Sequence, residues 1–243
     1  MKLNKIVFAA AAAFALAAGA TGASAGGSLK DDRPFSWSGF YFGGQLGVLA
    51  SQDTEWTHLS AAPHFNPIGT NKDSFNSGGA VGGAHVGYNV QSGKWVFGIE
   101  GSYSWADTQQ EVIRPGTFSN NTLVNDLDQI YTVTGRVGMA VDRALYYVRG
   151  GYAAGRLGVS LSEVPSFNHT FADSGWTGGW TVGGGIEAAI TNNVTIGIAY
   201  DYINLNSKTF SGLDTSAFAV TTVRVDPDPI HSVTGRVSFK FGN

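Results

Sequence analysis

Apolar and polar residues alternate with a period of two in eight separate stretches of the chain. Successive side chains of a strand point to opposite faces, so this period predicts β-strands that each have one apolar face. The third stretch shows it most clearly, because Trp95, Phe97 and Ile99 alternate with Gly98 and Glu100. The predicted strands cover residues 37–50, 78–90, 95–105, 131–141, 145–155, 180–190, 194–202 and 233–241.

Isolated charged residues lie inside six of these stretches, on the face opposite the apolar one. They are Glu100, Arg136, Arg149, Glu187, Asp201 and Arg236. A soluble β-protein turns its apolar faces inward, whereas a membrane barrel turns them toward lipid and keeps polar residues in its lumen. We therefore expect the apolar faces to contact lipid and the charges to lie inside.

The fifth stretch alternates less cleanly than the others. Leu145 and Tyr147 share the face of Arg149, although both are apolar or aromatic. We nevertheless expect Arg149 to face inward, and we assign Tyr146, Val148, Tyr152 and Ala154 to the outward face.

The connections between the stretches alternate between long and short. Long polar connections cover residues 51–77, 107–128, 156–174 and 204–229, and short turns cover 91–94, 142–143 and 192–193. An even strand number with this alternation is typical of bacterial outer-membrane barrels, whose longer loops face outward. Aromatic residues on the outward faces gather near both strand ends, as interfacial girdles do. The sequence thus predicts an all-β fold, an eight-stranded antiparallel up-and-down transmembrane β-barrel within residues 37–243.

The first residues have the pattern of a secretory signal peptide. Lys2 and Lys5 precede an apolar run, and the small residues Ala23, Ser24 and Ala25 form a cleavage site. We expect residues 1–25 to be removed and residues 26–36 to form a short periplasmic segment before the barrel. After the signal there is no apolar run of about 18 or more residues, so no transmembrane helix is expected.

Composition narrows the class of function. Loss of Lys2 and Lys5 changes the formal net charge from −3 to −5, and this mild acidity argues against a nucleic-acid partner. The chain contains no cysteine, which excludes disulfides, thiolate metal sites and cysteine catalysis. Charged residues make up 14% of the chain, less than the roughly 25% of an ordinary soluble domain.

The inward charges are the main candidates for chemistry. An eight-stranded barrel has an interior just wide enough for side chains to fill it. Such packing would pair Glu100, Glu187 and Asp201 with Arg136, Arg149, Arg236 and Lys240. Pairing favours a structural, plugged lumen, because an unpaired buried charge is costly; a selectivity filter in a narrow pore is the alternative. Interleaved arginines would keep the carboxylates ionised, so no acid and base pair, no enzyme and no metal site are predicted.

Histidines in the long connections are a second, weaker candidate. His58 and His64 lie in the first connection and His169 in the third, among aromatic residues such as Trp56 and Phe171. Imidazole and aromatic rings together could hold a haem or another flat ligand. Solvated loop residues that bind nothing are the alternative, because surface loops carry histidine without a function as well.

Several short segments support a family resemblance. Residues 37–44 read WSGFYFGG, residues 82–89 read GGAHVGYN, residues 97–101 read FGIEG, and VTGRV occurs at both 133–137 and 233–237. Together with AYDY at 199–202, these segments resemble the small porin-family outer-membrane barrels of alphaproteobacteria, akin to the opacity and OmpA-type barrels and including hemin-binding relatives. The resemblance covers essentially the whole chain after the signal.

This resemblance implies a location in the bacterial cell outer membrane and a role in envelope structure and surface display. A narrow porin-like channel, and loop-borne binding of hemin or a host ligand, are the alternatives that it leaves open. The implied partners are outer-membrane lipid, lipopolysaccharide and the outer-membrane assembly machinery, and the oligomeric state stays open. Family members supply no catalytic motif that could be carried over to residues of this chain.

Overall fold

The computed structural model describes residues 35–59, 73–115, 120–164, 169–214 and 219–241. These residues form eleven β-strands: β1 (Gly39–His58), β2 (Asp73–Ser92), β3 (Trp95–Asp107), β4 (Gln109–Pro115), β5 (Asn120–Val141), β6 (Ala144–Val164), β7 (His169–Ala189), β8 (Val194–Leu205), β9 (Lys208–Asp214), β10 (Ala219–Asp226) and β11 (Ile230–Phe241). None of the described residues forms a helix long and apolar enough to cross a membrane. The expected signal peptide, residues 1–25, and most of segment 26–36 lie outside the described residues.

Eight of the strands close into a barrel. Their order around the wall is β1, β2, β3, β5, β6, β7, β8 and β11, and each pairs with the next in antiparallel orientation. The barrel closes where β11 pairs with β1, from Phe40 opposite Phe241 to Ser51 opposite Ile230. The predicted eight-stranded antiparallel up-and-down barrel is therefore confirmed.

The long connections contain more strand than the sequence indicates. β1 runs to His58, β5 starts at Asn120, and β6 continues to Val164, all inside segments that their polarity marks as loops. In the second connection β4 pairs with β5, and in the fourth β9 pairs with β10, which in turn pairs with β1. The prediction that these residues form loops was therefore wrong. A strand that extends beyond the lipid no longer needs an apolar outer face, so its sequence does not alternate, but its backbone can still hydrogen-bond to the next strand.

Side-chain exposure confirms that the apolar faces point outward. Phe97 and Ile99 of β3 are 52% and 59% exposed, whereas Glu100 on the same strand is 1% exposed. In β6, Arg149 is buried together with Leu145 and Tyr147, so the ambiguous face of the fifth predicted strand is the inward one. The outward positions of Tyr146, Val148 and Tyr152 are exposed as expected, but Ala154 is buried beside Tyr131 and Gly178, its partners on the neighbouring strands.

The inward side chains form three layers along the barrel axis. At the end of the short turns, Trp37, Val96, Ala140, Leu145, Tyr147 and Ala189 form an apolar cluster, against which Phe35 packs. At the end of the long connections a larger apolar cluster contains Leu49, Val81, Ala106, Leu127, Ile130, Ala153, Leu157, Val159, Ile203, Leu205, Phe210, Val223, Val225 and Ile230. The charged side chains lie between these two layers, as Arg149 does between Leu145 and Ala153 on β6.

Gly47 marks a place where two strands approach too closely for any side chain. A Cβ atom at this position would overlap the carbonyl oxygen of Val233 on β11, whereas at Gly44, on the outward face, the nearest atom would be 3.8 Å away. We expect Gly47→Ala to lower the free energy of unfolding by about 1–3 kcal/mol, because the backbone must shift. Gly44→Ala should change it by less than about 1 kcal/mol. Urea titration in lipid vesicles, followed by tryptophan fluorescence, measures both; equal effects would contradict the close approach.

Candidate functional site

The carboxylate of Glu100, on β3, is the centre of the charged layer. Its Oε1 accepts a hydrogen bond from Nη1 of Arg149 at 2.6 Å, and its Oε2 accepts one from Nη2 of Arg236 at 2.6 Å. Nη1 of Arg136 lies 3.6 Å from Oε2, and the hydroxyl of Tyr41 donates to the same oxygen at 2.7 Å. These partners come from β6, β11, β5 and β1, so one carboxylate ties together strands from around the wall.

The other two carboxylates each hold one of these arginines. Asp201 on β8 accepts two hydrogen bonds from Arg149, one from Nε at 2.8 Å and one from Nη2, in the bidentate geometry that makes arginine pairs strong. Glu187 on β7 accepts from Nη1 of Arg136 at 3.0 Å, and Nε of Arg136 donates to Oδ1 of Asn89 at 2.8 Å. The structure thus joins all six isolated charges into one network.

Two tyrosine rings complete this network beside the guanidinium groups. The guanidinium carbon of Arg136 lies 4.5 Å from the ring centroid of Tyr41 and 5.2 Å from that of Tyr147. Nη1 of Arg236 donates to the hydroxyl of Tyr147 at 3.1 Å. Cation–π contacts of this kind gain strength when water is excluded. Arg136 is therefore held by aromatic faces as well as by a carboxylate, and Arg236 by a tyrosine hydroxyl as well as by a carboxylate.

The charged layer is electrically balanced, since it contains three carboxylates and three guanidinium groups. The side chains of Glu100 and Arg236 are each 1% exposed, so bulk water does not screen their charges. A buried ion is tolerated only when an opposite charge and hydrogen bonds compensate for its lost hydration. In this arrangement the charged side chains hold one another in place across the lumen.

Lys240, the seventh charge expected in the lumen, faces inward from β11 but lies at the short-turn end. Its ammonium nitrogen is 5.4 Å from the ring centroid of Phe35, and its side chain is buried. It thus lies beside the apolar cluster at that end of the barrel.

Several uncharged polar side chains also contribute to the layer. Tyr41 and Asn89 bind Glu100 and Arg136 directly, and the ring nitrogen Nε2 of His85 lies 2.8 Å from Oγ of Ser238. All of them occupy the inward parity of their strands, so the alternation predicts their face, and His85 is the one that it marks as a hydrogen-bonding residue of the lumen. Which polar side chains contact one another depends on the stagger of the strands, and the sequence does not show the stagger.

The loop histidines lie at strand ends or outside the described residues, so their grouping stays a prediction. His58 is the last residue of β1 and pairs with Val223, and His169 is the first residue of β7 and pairs with Glu163. His64 lies outside the described residues. Within the described ranges, no group of three or more His, Asp or Glu side chains is placed to hold a metal ion.

Comparison with known proteins places this barrel in a family. A family model described as "Outer membrane protein beta-barrel domain" matches residues 6–224. A 22 kDa outer membrane protein of Rhizobium leguminosarum bv. viciae is 29% identical over 184 residues, which cover 76% of this chain and 71% of that protein. A 31 kDa outer-membrane immunogenic protein of Brucella melitensis biotype 1 is 29% identical over 211 residues, which cover 85% of each chain.

A solved structure supports the fold. The outer membrane protein OprG from Pseudomonas aeruginosa aligns with a TM-score of 0.54 at 14% sequence identity, over 85% of this chain and 97% of OprG. The family match covers more than half of the sequence, and both relatives are named outer-membrane proteins. The chain therefore belongs to the outer membrane protein β-barrel family and is located in the bacterial outer membrane.

Proposed function

We propose that this protein is a closed, non-enzymatic barrel that strengthens the outer membrane and holds extended hairpins at the cell surface. The observation that carries this proposal is the three-layer lumen: a charged layer of three carboxylates and three guanidinium groups, joined by ion pairs, lies between two apolar clusters. Apolar constrictions exclude water and ions from narrow pores. The charged side chains that could bind passing ions in an open channel form ion pairs with one another instead.

The hairpins on the side of the long connections supply the second half of the proposal. Longer connections of bacterial barrels face the cell exterior. The pairing of β4 with the start of β5, the pairing of the end of β6 with the start of β7, and the β9–β10 hairpin lie on that side. Paired strands hold a loop tip in a defined position at lower entropic cost than an unstructured chain of equal length. The name of the Brucella relative, an immunogenic protein, describes a property of that protein and is consistent with surface exposure.

An epitope inserted within residues 215–218, which connect β9 to β10, tests the display role. Antibody should label intact cells that carry this insertion, because the hairpin projects outward. The matched control places the same epitope between Asn192 and Asn193, in a short turn, and should be labelled only after the outer membrane is permeabilised. Heat-modifiable migration verifies that both variants fold. Labelling of intact cells by the control, or of the test variant only after permeabilisation, would overturn the proposed orientation.

Hemin binding by His58, His64 and His169 is the competing surface function. These residues come from two different connections, His58 and His64 from the first and His169 from the third. The display proposal therefore predicts no Soret shift when hemin is added to the folded protein. A shift that disappears when all three histidines are replaced by alanine would favour the hemin role instead.

A further inference from the structure

A cavity of about 510 Å³ lies at the periplasmic rim, between the β2–β3 turn and the β5–β6 turn. Its volume falls within the roughly 300–1,000 Å³ of ordinary ligand pockets. The charged layer of the lumen contributes none of its walls. The lining consists of Phe35, Gln91, Gly93, Lys94, Ala140, Val141, Asp142 and Arg143.

Arg143 lies in the wall of this cavity, and only some of its N–H groups donate hydrogen bonds within the protein. Its Nε donates to the carbonyl oxygen of Ala189 at 2.9 Å, and both Nη atoms contact Oδ1 of Asn192 at 3.3 Å. The guanidinium carbon lies 5.1 Å from the ring centroid of Phe35. A guanidinium carries five N–H groups, so two of them make none of these bonds. The cation is thus oriented in advance and can still bind the oxygens of a ligand.

A second cation lies on the opposite side of the same cavity. Lys94, in the β2–β3 turn, is exposed and has no other charged residue in its own turn. The acid in the lining is Asp142, so the cations of the cavity outnumber its acids by two to one. A second groove, near the end of the long connections, is acidic instead of basic. It is lined by Asp126 and Asp173 without a basic residue, and burial together with the charges of Asp128 and Asp107 raises the pKa of Asp126.

The membrane-facing wall next to the cavity is apolar. Trp95, Met139 and Tyr146 are cross-strand neighbours on the outward face, and all three are exposed, as is Val141 at the edge of the cavity. Lys94 directly precedes Trp95, and Arg143 follows Val141 by two residues. A molecule whose acyl chains lie against these outward residues would therefore bring its headgroup to the two cations.

We propose that this cavity binds the phosphate headgroup of an anionic phospholipid from the periplasmic leaflet of the outer membrane. The guanidinium recognises phosphate oxygens with a planar pair of donors, and the ammonium supplies a second positive charge. Basic pockets at the edge of a membrane-spanning region are suited to anionic lipid headgroups. This site acts independently of whether the lumen conducts.

Native mass spectrometry of the folded protein tests the site. The probe is an equal mixture of palmitoyl-oleoyl phosphatidylglycerol and palmitoyl-oleoyl phosphatidylethanolamine, which differ in headgroup but not in acyl chains. The wild type should retain phosphatidylglycerol preferentially, and Lys94→Gln/Arg143→Gln should lower its retention by roughly tenfold or more. The matched control, Lys208→Gln/Arg224→Gln, removes two cations near the cell surface and should leave retention unchanged.

Two further measurements distinguish lipid binding from a loss of the turn contacts and from binding of free phosphate. Arg143 also hydrogen-bonds to Ala189 and Asn192, so its loss could disturb the turns themselves. Lys94→Gln alone leaves these hydrogen bonds intact and should still lower phosphatidylglycerol retention by about threefold. Inorganic phosphate at millimolar concentration should not displace the lipid. The proposal is overturned if the wild type has no preference for phosphatidylglycerol, if the double variant retains it equally, or if free phosphate displaces it.

Discussion

Replacing Glu100 with glutamine should lower the free energy of unfolding by about 3–5 kcal/mol. The substitution keeps the shape of the side chain but leaves three guanidinium groups facing two carboxylates in a layer whose charged side chains are at most 13% exposed. Arg236 and Arg149 each lose a charged partner at 2.6 Å, and Tyr41 loses the anion to which it donates. Urea titration of the protein in lipid vesicles, followed by tryptophan fluorescence, measures the loss.

Two comparisons make the Glu100 result specific to the buried network. Asp173→Asn removes a carboxylate from an exposed position near the cell surface and should change the free energy by less than about 0.5 kcal/mol. The double variant Glu100→Gln/Arg236→Gln restores charge balance and should be less destabilised than the sum of its two single variants. A loss below about 1 kcal/mol for Glu100→Gln would mean that water screens the layer, contrary to the closed lumen.

Replacing Phe210 with alanine should lower the free energy of unfolding by about 3–5 kcal/mol. Phe210 lies on β9, within a segment whose polarity predicts a surface loop, yet its side chain is 2% exposed. It belongs to the apolar cluster at the end of the long connections and pairs across the hairpin with Val223, which is fully buried. Truncation to alanine therefore leaves a cavity in a packed core. The measurement is the same urea titration.

The loop interpretation and the core interpretation give different results for Phe210. A solvated loop residue tolerates substitution within about 0.5 kcal/mol. In a packed core, Phe210→Leu should recover most of the stability that Phe210→Ala loses, since a large apolar side chain again fills the space. If Phe210→Ala and Phe210→Leu both left the titration unchanged, the apolar cluster at the end of the long connections would not be a structural layer.

The barrel wall could be predicted from the alternation because lipid imposes it. Every outward side chain between the girdles must be apolar, so residues such as Phe97 and Ile99 mark the strand and its face at once. The inward charges followed from the same parity. Even Arg149, on the least regular strand, could be assigned correctly, since its neighbours Tyr146 and Val148 still face lipid.

The apolar layer at the end of the long connections could not be predicted in the same way. Leu157 and Phe210 lie beyond the membrane, where outward residues are polar and inward ones apolar, so the pattern inverts relative to the lipid-spanning part. A sequence without a known membrane boundary does not show where this inversion begins. The sequence predicts that inward acids and bases pair, because an unpaired buried charge is costly. It does not predict that Glu100 pairs with Arg149 and Arg236, because this choice depends on the stagger of the strands.

Electrical conductance across planar lipid bilayers tests the closed lumen most directly. The protein should first migrate as the heat-modifiable folded form, and a general porin inserted in the same bilayers serves as the positive control. A lumen sealed by two apolar layers predicts no conductance steps above the bare bilayer. Stable steps from the wild type, reduced when Arg136 or Glu100 is neutralised, would show that ions pass through the charged layer and would contradict the closed barrel.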